Sequence, residues 1–132
     1  MSESTEPFQR AAIARLLGFR IAPGKYGECE ISFDAGEAHH NPMGRVHGGV
    51  LSALADAAMG IAFARTLDPG QDFSTIELHV RFVRPLRAAT LTARASVIQR
   101  GLRTGFVECR IEDQRQRLIA LADCTCTVII DN

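Results

Sequence analysis

The chain has 132 residues, with 15 basic and 15 acidic side chains, a formal net charge of zero and 46% hydrophobic residues. This length is enough for one domain with a sizeable core and too short for two ordinary ones, so residues 1–132 are predicted to form a single domain. The zero net charge argues against nucleic acid as the main partner, and no apolar run is long enough to cross a membrane. The polar start, Met1–Glu6, lacks a signal-peptide core, which predicts a cytoplasmic protein.

The first predicted elements are a short helix and a strand. Apolar residues recur at helical spacing over Pro7–Leu17, and Gly18 follows in the position of a C-terminal cap. Over Tyr26–Asp34, apolar and polar side chains alternate, which predicts a half-buried strand. The polar segment 35–46 is interpreted as a loop that leads into the next helix.

A long helix is predicted from His47 to about Thr66, because this segment is rich in Ala and Leu. The side opposite its main apolar face holds one charge, Asp56, among small or apolar residues. This side is therefore not expected to face solvent. A helix that is apolar nearly all round is buried nearly all round. Asp56 is therefore predicted to be a carboxylate inside a contact, where the cost of an unpaired charge indicates a functional role. The main apolar side carries Val50, Leu51, Leu54, Ala58, Ile61 and Ala62. The opposite side carries Ser52, Ala53, Asp56, Met59, Gly60 and Phe63.

Two glycines, Gly48 and Gly49, open this helix. They leave the first backbone N–H groups uncovered, where the helix dipole favours an oxyanion or a polarised carbonyl oxygen. Gly49 is seven residues from Asp56, or about 10 Å along the axis, too far for both to act on one reacting carbon. This distance predicts a homodimer in which two antiparallel helices each offer their start to the other's Asp56.

Four alternating strands follow the helix, and their short connections predict hairpins and hence an antiparallel meander. One apolar sheet face and one long apolar helix must close on each other. The expected class is α+β, with a curled antiparallel sheet of five or six strands wrapped around the central helix, and a second copy covering the Asp56 side. The predicted strands are Ser74–Arg84, Thr90–Arg100, Thr104–Glu112 and Leu118–Ile130, and the first turns Ile76, Leu78, Val80 and Phe82 inward.

The cysteines and histidines do not indicate a metal site. No Cys-x-x-Cys pair is present, so the cysteines are predicted to be reduced and mostly buried, with Cys124 and Cys126 on one face of a strand. The histidines before the long helix have no carboxylate at a helical ligand spacing, so no metal ion is expected. The residues concerned are Cys29, Cys109, Cys124 and Cys126, and His39, His40 and His47.

The pattern Asn41-x5-His47-Gly48-Gly49, then Asp56 in the helix and Phe82-x-Arg84-Pro85, resembles the hotdog-fold thioesterases of the phenylacetate-pathway and 4-hydroxybenzoyl-CoA thioesterase type. The resemblance extends from about Gly18 to Ile130. It implies the hotdog fold and hydrolysis of acyl-CoA or aryl-CoA thioesters without a metal or cofactor. It also implies a homo-oligomer, either a dimer or a dimer of dimers.

The resemblance implies catalytic roles for four residues. Asp56 would be the essential carboxylate, acting as a general base on water or as a nucleophile. The N–H of Gly48, from the partner subunit, would polarise the thioester carbonyl. Asn41 and His47 match loop positions that place the carbonyl and the attacking water.

Further residues are expected to contact substrate. Thr75 matches a Ser/Thr beside the carboxylate, with Ser74 as the alternative. The acyl group is expected to point toward Met59 and Phe63, which are otherwise dimer core. Arg84 would grip the CoA phosphates, or would be a solvated strand end. With Gly49 at the helix start, the substrate-binding set is Gly49, Met59, Phe63, Thr75 and Arg84.

Three other interpretations remain open from the sequence. Asp56 could serve only as a structural partner at the dimer interface. The protein could be a hotdog hydratase or dehydratase acting on acyl-ACP or acyl-CoA, although the His-Gly-Gly start fits thioesterases better. It could also bind acyl-CoA without catalysis, in which case it should not need Asp56.

Overall fold

A computed structural model describes residues 6–130, in which ten elements follow one another along the chain. None of the described helices has the length and apolar character needed to cross a membrane. A single 3-10 turn, Glu37–His39, lies in the loop before the long helix. The elements are α1 (Glu6–Gln9), α2 (Ala12–Leu17), β1 (Arg20–Ile21), β2 (Glu28–Ala35), the 3-10 turn, α3 (Gly48–Ala64), β3 (Gln71–Phe82), β4 (Ala89–Arg100), β5 (Thr104–Glu112) and β6 (Leu118–Ile130).

The strands form one antiparallel sheet in the order β1-β2-β4-β5-β6-β3, and the sheet curls around α3. Alternation places the apolar side chains of β2, β4, β5 and β6 on the inner face, where they pack against α3. Leu54 and Ala58 of α3 are fully buried there. The expected α+β architecture, a curled sheet of five or six strands around one central helix, is confirmed with six strands.

The predicted meander is wrong at the link Pro85–Ala89. β3 pairs with β6, and β4 pairs with β2, so this short link is not a hairpin. After β3 the Val83 N–H donates to the Ile119 carbonyl at 2.8 Å, and the Leu86 carbonyl then accepts from the Val46 N–H at 2.9 Å. The link therefore passes beneath the start of α3. Because the sheet is curled, strands that are not neighbours converge there, and a short link can join them.

The N-terminal segment forms two short helices where one was predicted. Ala11, with φ −56° and ψ 137°, is extended and separates α1 from α2. The predicted cap is confirmed, because Gly18 adopts a left-handed conformation with φ 83° and its N–H donates to the Ala14 carbonyl at 2.9 Å.

β3 contains a bulge that the alternation rule does not anticipate. Thr75 lies opposite Cys126 and Glu77 lies opposite Thr125, so Ile76 is an extra residue on β3. The prediction placed Ile76 on the inner face, but its side chain is 59% exposed. The extra residue changes the phase of the strand, so Thr75 turns inward instead.

Met59 and Phe63 belong to the core of a single protomer. Both are 0% exposed, because β3 and β5 cover the side of α3 that the helical wheel left open. The Phe63 ring lies 5.9 Å from the Phe73 ring of β3, and Gly105 of β5 lies against it. Their expected position at a dimer core or pocket wall is therefore corrected.

Replacing Gly105 with alanine should destabilise the protein. A Cβ at this position would lie 2.5 Å from Cε1 of Phe63, and overpacking a filled core costs about 1–3 kcal/mol. We expect a lower Tm and a smaller free energy of unfolding in denaturant titrations. Gly36→Ala is the matched control, because a Cβ there meets no atom within 4 Å. Equal Tm values for the two variants would contradict the packing of Phe63 described above.

Candidate active site

The carboxylate of Asp56 and the hydroxyl of Thr75 form a hydrogen-bonded pair between α3 and β3. Thr75 Oγ1 donates to Asp56 Oδ1 at 3.0 Å, and both residues are half-buried. The Ser74 hydroxyl instead donates to the backbone carbonyl of Thr75, at 3.4 Å. Of the two hydroxyls that the sequence left open, the structure therefore puts Thr75 beside the carboxylate.

Asp56 has no ion-pair partner in the described part of the chain. Within residues 6–130, no Lys, Arg or His side chain forms a salt bridge with it. A half-buried carboxylate without a cation is difficult to explain as a structural salt bridge, so the structure gives no support to that interpretation within one protomer.

The Asp56–Thr75 pair opens into an apolar cavity of about 230 Å³, here called the Asp56 cleft. Few polar groups in an otherwise apolar pocket are typical of small-molecule sites, where the polar groups set orientation and chemistry. The N-terminal segment, α3 and β3 all contribute walls. They include Phe8, Ala11, Ile13, Ala14, Phe19 and Ile21, then Ala57, Gly60 and Ile61, and Phe73.

The N-terminal wall of the Asp56 cleft is tied to the sheet by Gln9. Its Nε2 donates to the Phe19 carbonyl at 2.7 Å, and its Oε1 accepts from the Ile21 N–H at 2.9 Å. The amide thus pairs with the backbone as a neighbouring strand would. This contact holds α1 against β1, and the break at Ala11 then directs α2 along the cleft.

The same wall is tied to the end of α3 by Arg65. Its guanidinium lies 5.7 Å from the Phe8 ring centre. It also donates to the carbonyls of Glu28 at 2.7 Å and Ala22 at 3.2 Å. The wall is therefore fixed at both α3 and β1, although it lies outside the main sheet.

The start of α3 is capped by a histidine side chain. Nδ1 of His47 accepts from the Gly49 N–H at 2.7 Å, so this N–H is already used within the chain. The Gly48 N–H donates to no group in the described part of the protein. A Cβ on Gly48 would lie 3.0 Å from the Phe82 ring, so glycine also fits this close contact. Of the two glycines, Gly48 is the one with a backbone donor available to a ligand.

A second cavity, of about 250 Å³, lies at the start of α3 and is here called the Gly48 cleft. The structure brings Asn41, Gly48 and Arg84 together in its wall. Asn41 shapes the adjoining loop, because its Oδ1 accepts from the N–H groups of Met43 at 3.0 Å and Arg45 at 3.1 Å. Three of the residues singled out in the sequence thus share one cleft.

The two clefts remain separate within one protomer. They share no lining residue, and Asp56 follows Gly48 by eight residues, which corresponds to about 12 Å along the helix axis. Met59 and Phe63 line neither cleft. The structure therefore places Asp56 and Thr75 in one cleft and Asn41, Gly48 and Arg84 in the other, while His47 and Gly49, at the start of α3, also line neither cleft.

Sequence reasoning missed two contributions to this region. The first is the N-terminal wall, including Phe8 and Ile13, whose spacing predicts an amphipathic helix but does not indicate what it covers. The second is Cys126, whose sulfur lies 3.9 Å from Thr75 Oγ1. The placement of Cys126 and Cys124 on one face of a strand was the only signal that pointed toward it.

Comparisons with known proteins agree on one family. The sequence pattern of the Thioesterase superfamily matches residues 43–120. A 1,4-dihydroxy-2-naphthoyl-CoA hydrolase of Listeria monocytogenes is 29% identical over 112 residues, covering 85% of this chain and 91% of that protein. The PaaI protein of the E. coli phenylacetic acid degradation operon has a TM-score of 0.87 and 29% identity, and the match covers 94% of this chain and 88% of that chain. A thioesterase of Haemophilus influenzae shares the fold, with a TM-score of 0.87 and 24% identity, and the match covers 94% of this chain and 87% of that chain.

Proposed function

We propose that this chain, which belongs to the thioesterase superfamily and is a thioester hydrolase, cleaves an acyl- or aryl-CoA thioester to the free acid and CoA. The observation that carries the proposal is the Asp56 carboxylate, held by the Thr75 hydroxyl and open to an apolar cavity. A thioester fits such a site because its apolar acyl group can occupy the cavity while its carbonyl carbon, which water can attack, lies beside the carboxylate.

In the proposed reaction Asp56 takes a proton from water, and the water attacks the thioester carbonyl carbon. The alternative route, direct attack by the carboxylate, needs the same residue in the same place. Negative charge then develops on the carbonyl oxygen, and the Gly48 N–H with the helix dipole behind it stabilises that charge. When the intermediate collapses, the C–S bond breaks and CoA leaves as the thiolate.

A second copy of the chain supplies Gly48 in this proposal. The Asp56 side of α3 is half-exposed in one protomer and carries small residues, Ser52, Ala53 and Ala57, that would allow another helix to approach closely. β3 is a long edge strand with exposed apolar side chains, Ile76 at 59% and Phe82 at 55%, and such edges favour pairing. Two antiparallel copies would therefore face the Gly48 cleft of one toward the Asp56 cleft of the other, in a dimer or a dimer of dimers.

The size of the Asp56 cleft limits the acyl group. A cavity of about 150 Å³ lined by apolar side chains holds one benzene ring. At about 230 Å³, the Asp56 cleft suits an acyl group with a single ring or a short to medium chain. The pantetheine arm would leave along the subunit seam, with the nucleotide at the surface near Arg84, which is exposed.

Replacing Asp56 with asparagine should abolish turnover and leave the fold intact. Asparagine has nearly the same shape and still accepts from Thr75, but it neither takes a proton from water nor attacks a carbonyl. We expect CoA release from acyl-CoA to fall about 10²- to 10⁴-fold, the usual contribution of a general base. Tm should be unchanged or higher, since the variant removes a half-buried charge. Asp68→Asn, at an exposed carboxylate beyond α3, is the matched control and should keep full activity.

Three outcomes would contradict the proposal. Full activity in Asp56→Asn would exclude a catalytic carboxylate. Wild-type protein that hydrates crotonyl-CoA without releasing CoA would be a hydratase, and one that binds acyl-CoA without turnover would be a binding module.

Mixed dimers should test whether the site is shared. Gly48→Val crowds the start of α3, and Asp56→Asn removes the carboxylate, so each variant alone should be inactive. Co-expressed with different tags, the two chains form mixed dimers in which one of the two sites is intact. Because half of the dimers are mixed, about a quarter of wild-type activity should return. Co-expression of two differently tagged Asp56→Asn chains is the control, and no recovery in the mixed sample would mean that each protomer uses its own Gly48.

The N-terminal wall should set acyl selectivity. Ile13 lines the Asp56 cleft, whereas Leu16 of the same helix is 78% exposed and does not. Ile13→Ala should shift the kcat/KM ratio about tenfold from benzoyl-CoA toward the larger naphthoyl-CoA, because removing apolar wall changes selectivity by this amount. Leu16→Ala should leave the ratio unchanged. A ratio unaffected by Ile13→Ala would place the acyl group elsewhere.

A further inference from the structure

Two buried thiols of β6 lie behind the Asp56–Thr75 pair. Cys126 Sγ is 3.9 Å from Thr75 Oγ1, and Cys124 Sγ is 3.7 Å from Cys126 Sγ. Their residues are 0% and 1% exposed, so no solvent competes for these contacts. The four side chains form a continuous row from the inner face of β6 to α3.

Counting hydrogens gives this row a direction. An ionised carboxylate only accepts, so the single hydroxyl hydrogen of Thr75 is used on Asp56. The Thr75 oxygen can then only accept from Cys126, and the Cys126 S–H is the donor. The Cys126 sulfur in turn accepts from Cys124. Every hydrogen in the row therefore points toward Asp56.

The protonated state of Cys124 fits this direction, and the hydrogen count around Thr75 decides the state of Cys126. The hydrogen bond to Cys126, together with burial, raises the pKa of Cys124 far above its usual value, so Cys124 is protonated. The same hydrogen bond, together with the contact to Thr75, pulls the pKa of Cys126 below its usual value, against burial and the charge of Asp56, which raise it. A thiolate at Cys126 would be a second anion beside the Asp56 carboxylate, and the single hydroxyl hydrogen of Thr75 is already used on Asp56. The neutral Cys126 thiol is the state in which each polar atom has a partner.

We propose that Cys126 is a positioning residue: its S–H, supported by Cys124, donates to Thr75 Oγ1 and so points the Thr75 hydroxyl at Asp56. A thiol suits this place because it packs as a small apolar side chain and still carries a donor. The effect on catalysis rests on the proposed role of Asp56, but the hydrogen bond itself does not. One experiment therefore tests the bond without turnover, and a second tests its effect on turnover.

The infrared S–H stretching band reports the bond directly. The Cys126 band is isolated by subtracting the spectrum of Cys126→Ala. In Thr75→Val the acceptor is gone, so this band should move to higher frequency and narrow. Ser74→Ala, which removes the neighbouring hydroxyl, should leave it unchanged. A Cys126 band that is the same in Thr75→Val and wild-type protein would overturn the proposal, whether or not the protein turns over any thioester.

Kinetics then test positioning by a double-mutant cycle. Cys126→Ala should lower kcat about 3- to 10-fold with KM unchanged, the usual worth of one hydrogen bond. Cys126→Ser, which keeps a donor, should recover most of the loss. In protein that already carries Thr75→Val, adding Cys126→Ala should not lower kcat further. Cys109→Ala, at another buried thiol of the sheet's inner face with 3% exposure, is the control for packing and should leave kcat unchanged.

The failures of the two proposals are distinguishable. A wild-type protein that releases no CoA contradicts the proposed function, and the infrared band still decides the hydrogen bond. If wild-type protein is active and Asp56→Asn is not, full kcat in Cys126→Ala overturns the positioning role alone. An equal loss from Cys126→Ala with and without the Thr75 hydroxyl would also overturn it, because packing would then account for the loss.

Discussion

The hydrogen bond from Thr75 to Asp56 joins the central helix to the edge strand, and the geometry of the Asp56 cleft depends on it. It forms because one extra residue, Ile76, changes the phase of β3 and turns Thr75 inward. Without that bulge, regular alternation would turn Ile76 toward the helix and Thr75 toward solvent. A single insertion in a strand thus determines whether the carboxylate meets a hydroxyl or a hydrocarbon.

The polar groups of the site occur at two levels of one helix. The first turn of α3 offers the Gly48 N–H, with the Gly49 N–H already bound by His47, and Asp56 follows two turns later. In the proposed reaction, the Gly48 N–H stabilises negative charge on the thioester carbonyl oxygen, and Asp56 removes a proton from water. The rigid rise of the helix keeps them about 12 Å apart in one chain. Antiparallel pairing of two copies would bring the Gly48 N–H of one copy close to the Asp56 carboxylate of the other.

Much of this arrangement follows from local patterns. Alternation in β4, β5 and β6 predicts their inner faces, and the Ala-rich segment with its double glycine predicts α3 and its exposed start. Three features depend on tertiary structure and have no local signal. They are the bulge at Ile76, the link that carries β3 past the start of α3, and the covering of Met59 and Phe63 by β3 and β5. Each depends on contacts between segments that are distant in sequence, which no single window of sequence contains.

The N-terminal wall of the Asp56 cleft has a consequence for how such a protein can change over time. Its residues lie before position 22, whereas Asn41, Gly48, Asp56, Thr75 and Arg84 all come later in the chain. Gln9 and Arg65 attach that wall through backbone N–H and carbonyl groups and one ring, contacts that tolerate many neighbouring side chains. Variation in the first helices can therefore remodel the cleft without disturbing the carboxylate and its partners. In the proposed reaction, selectivity and chemistry therefore depend on separate stretches of the chain.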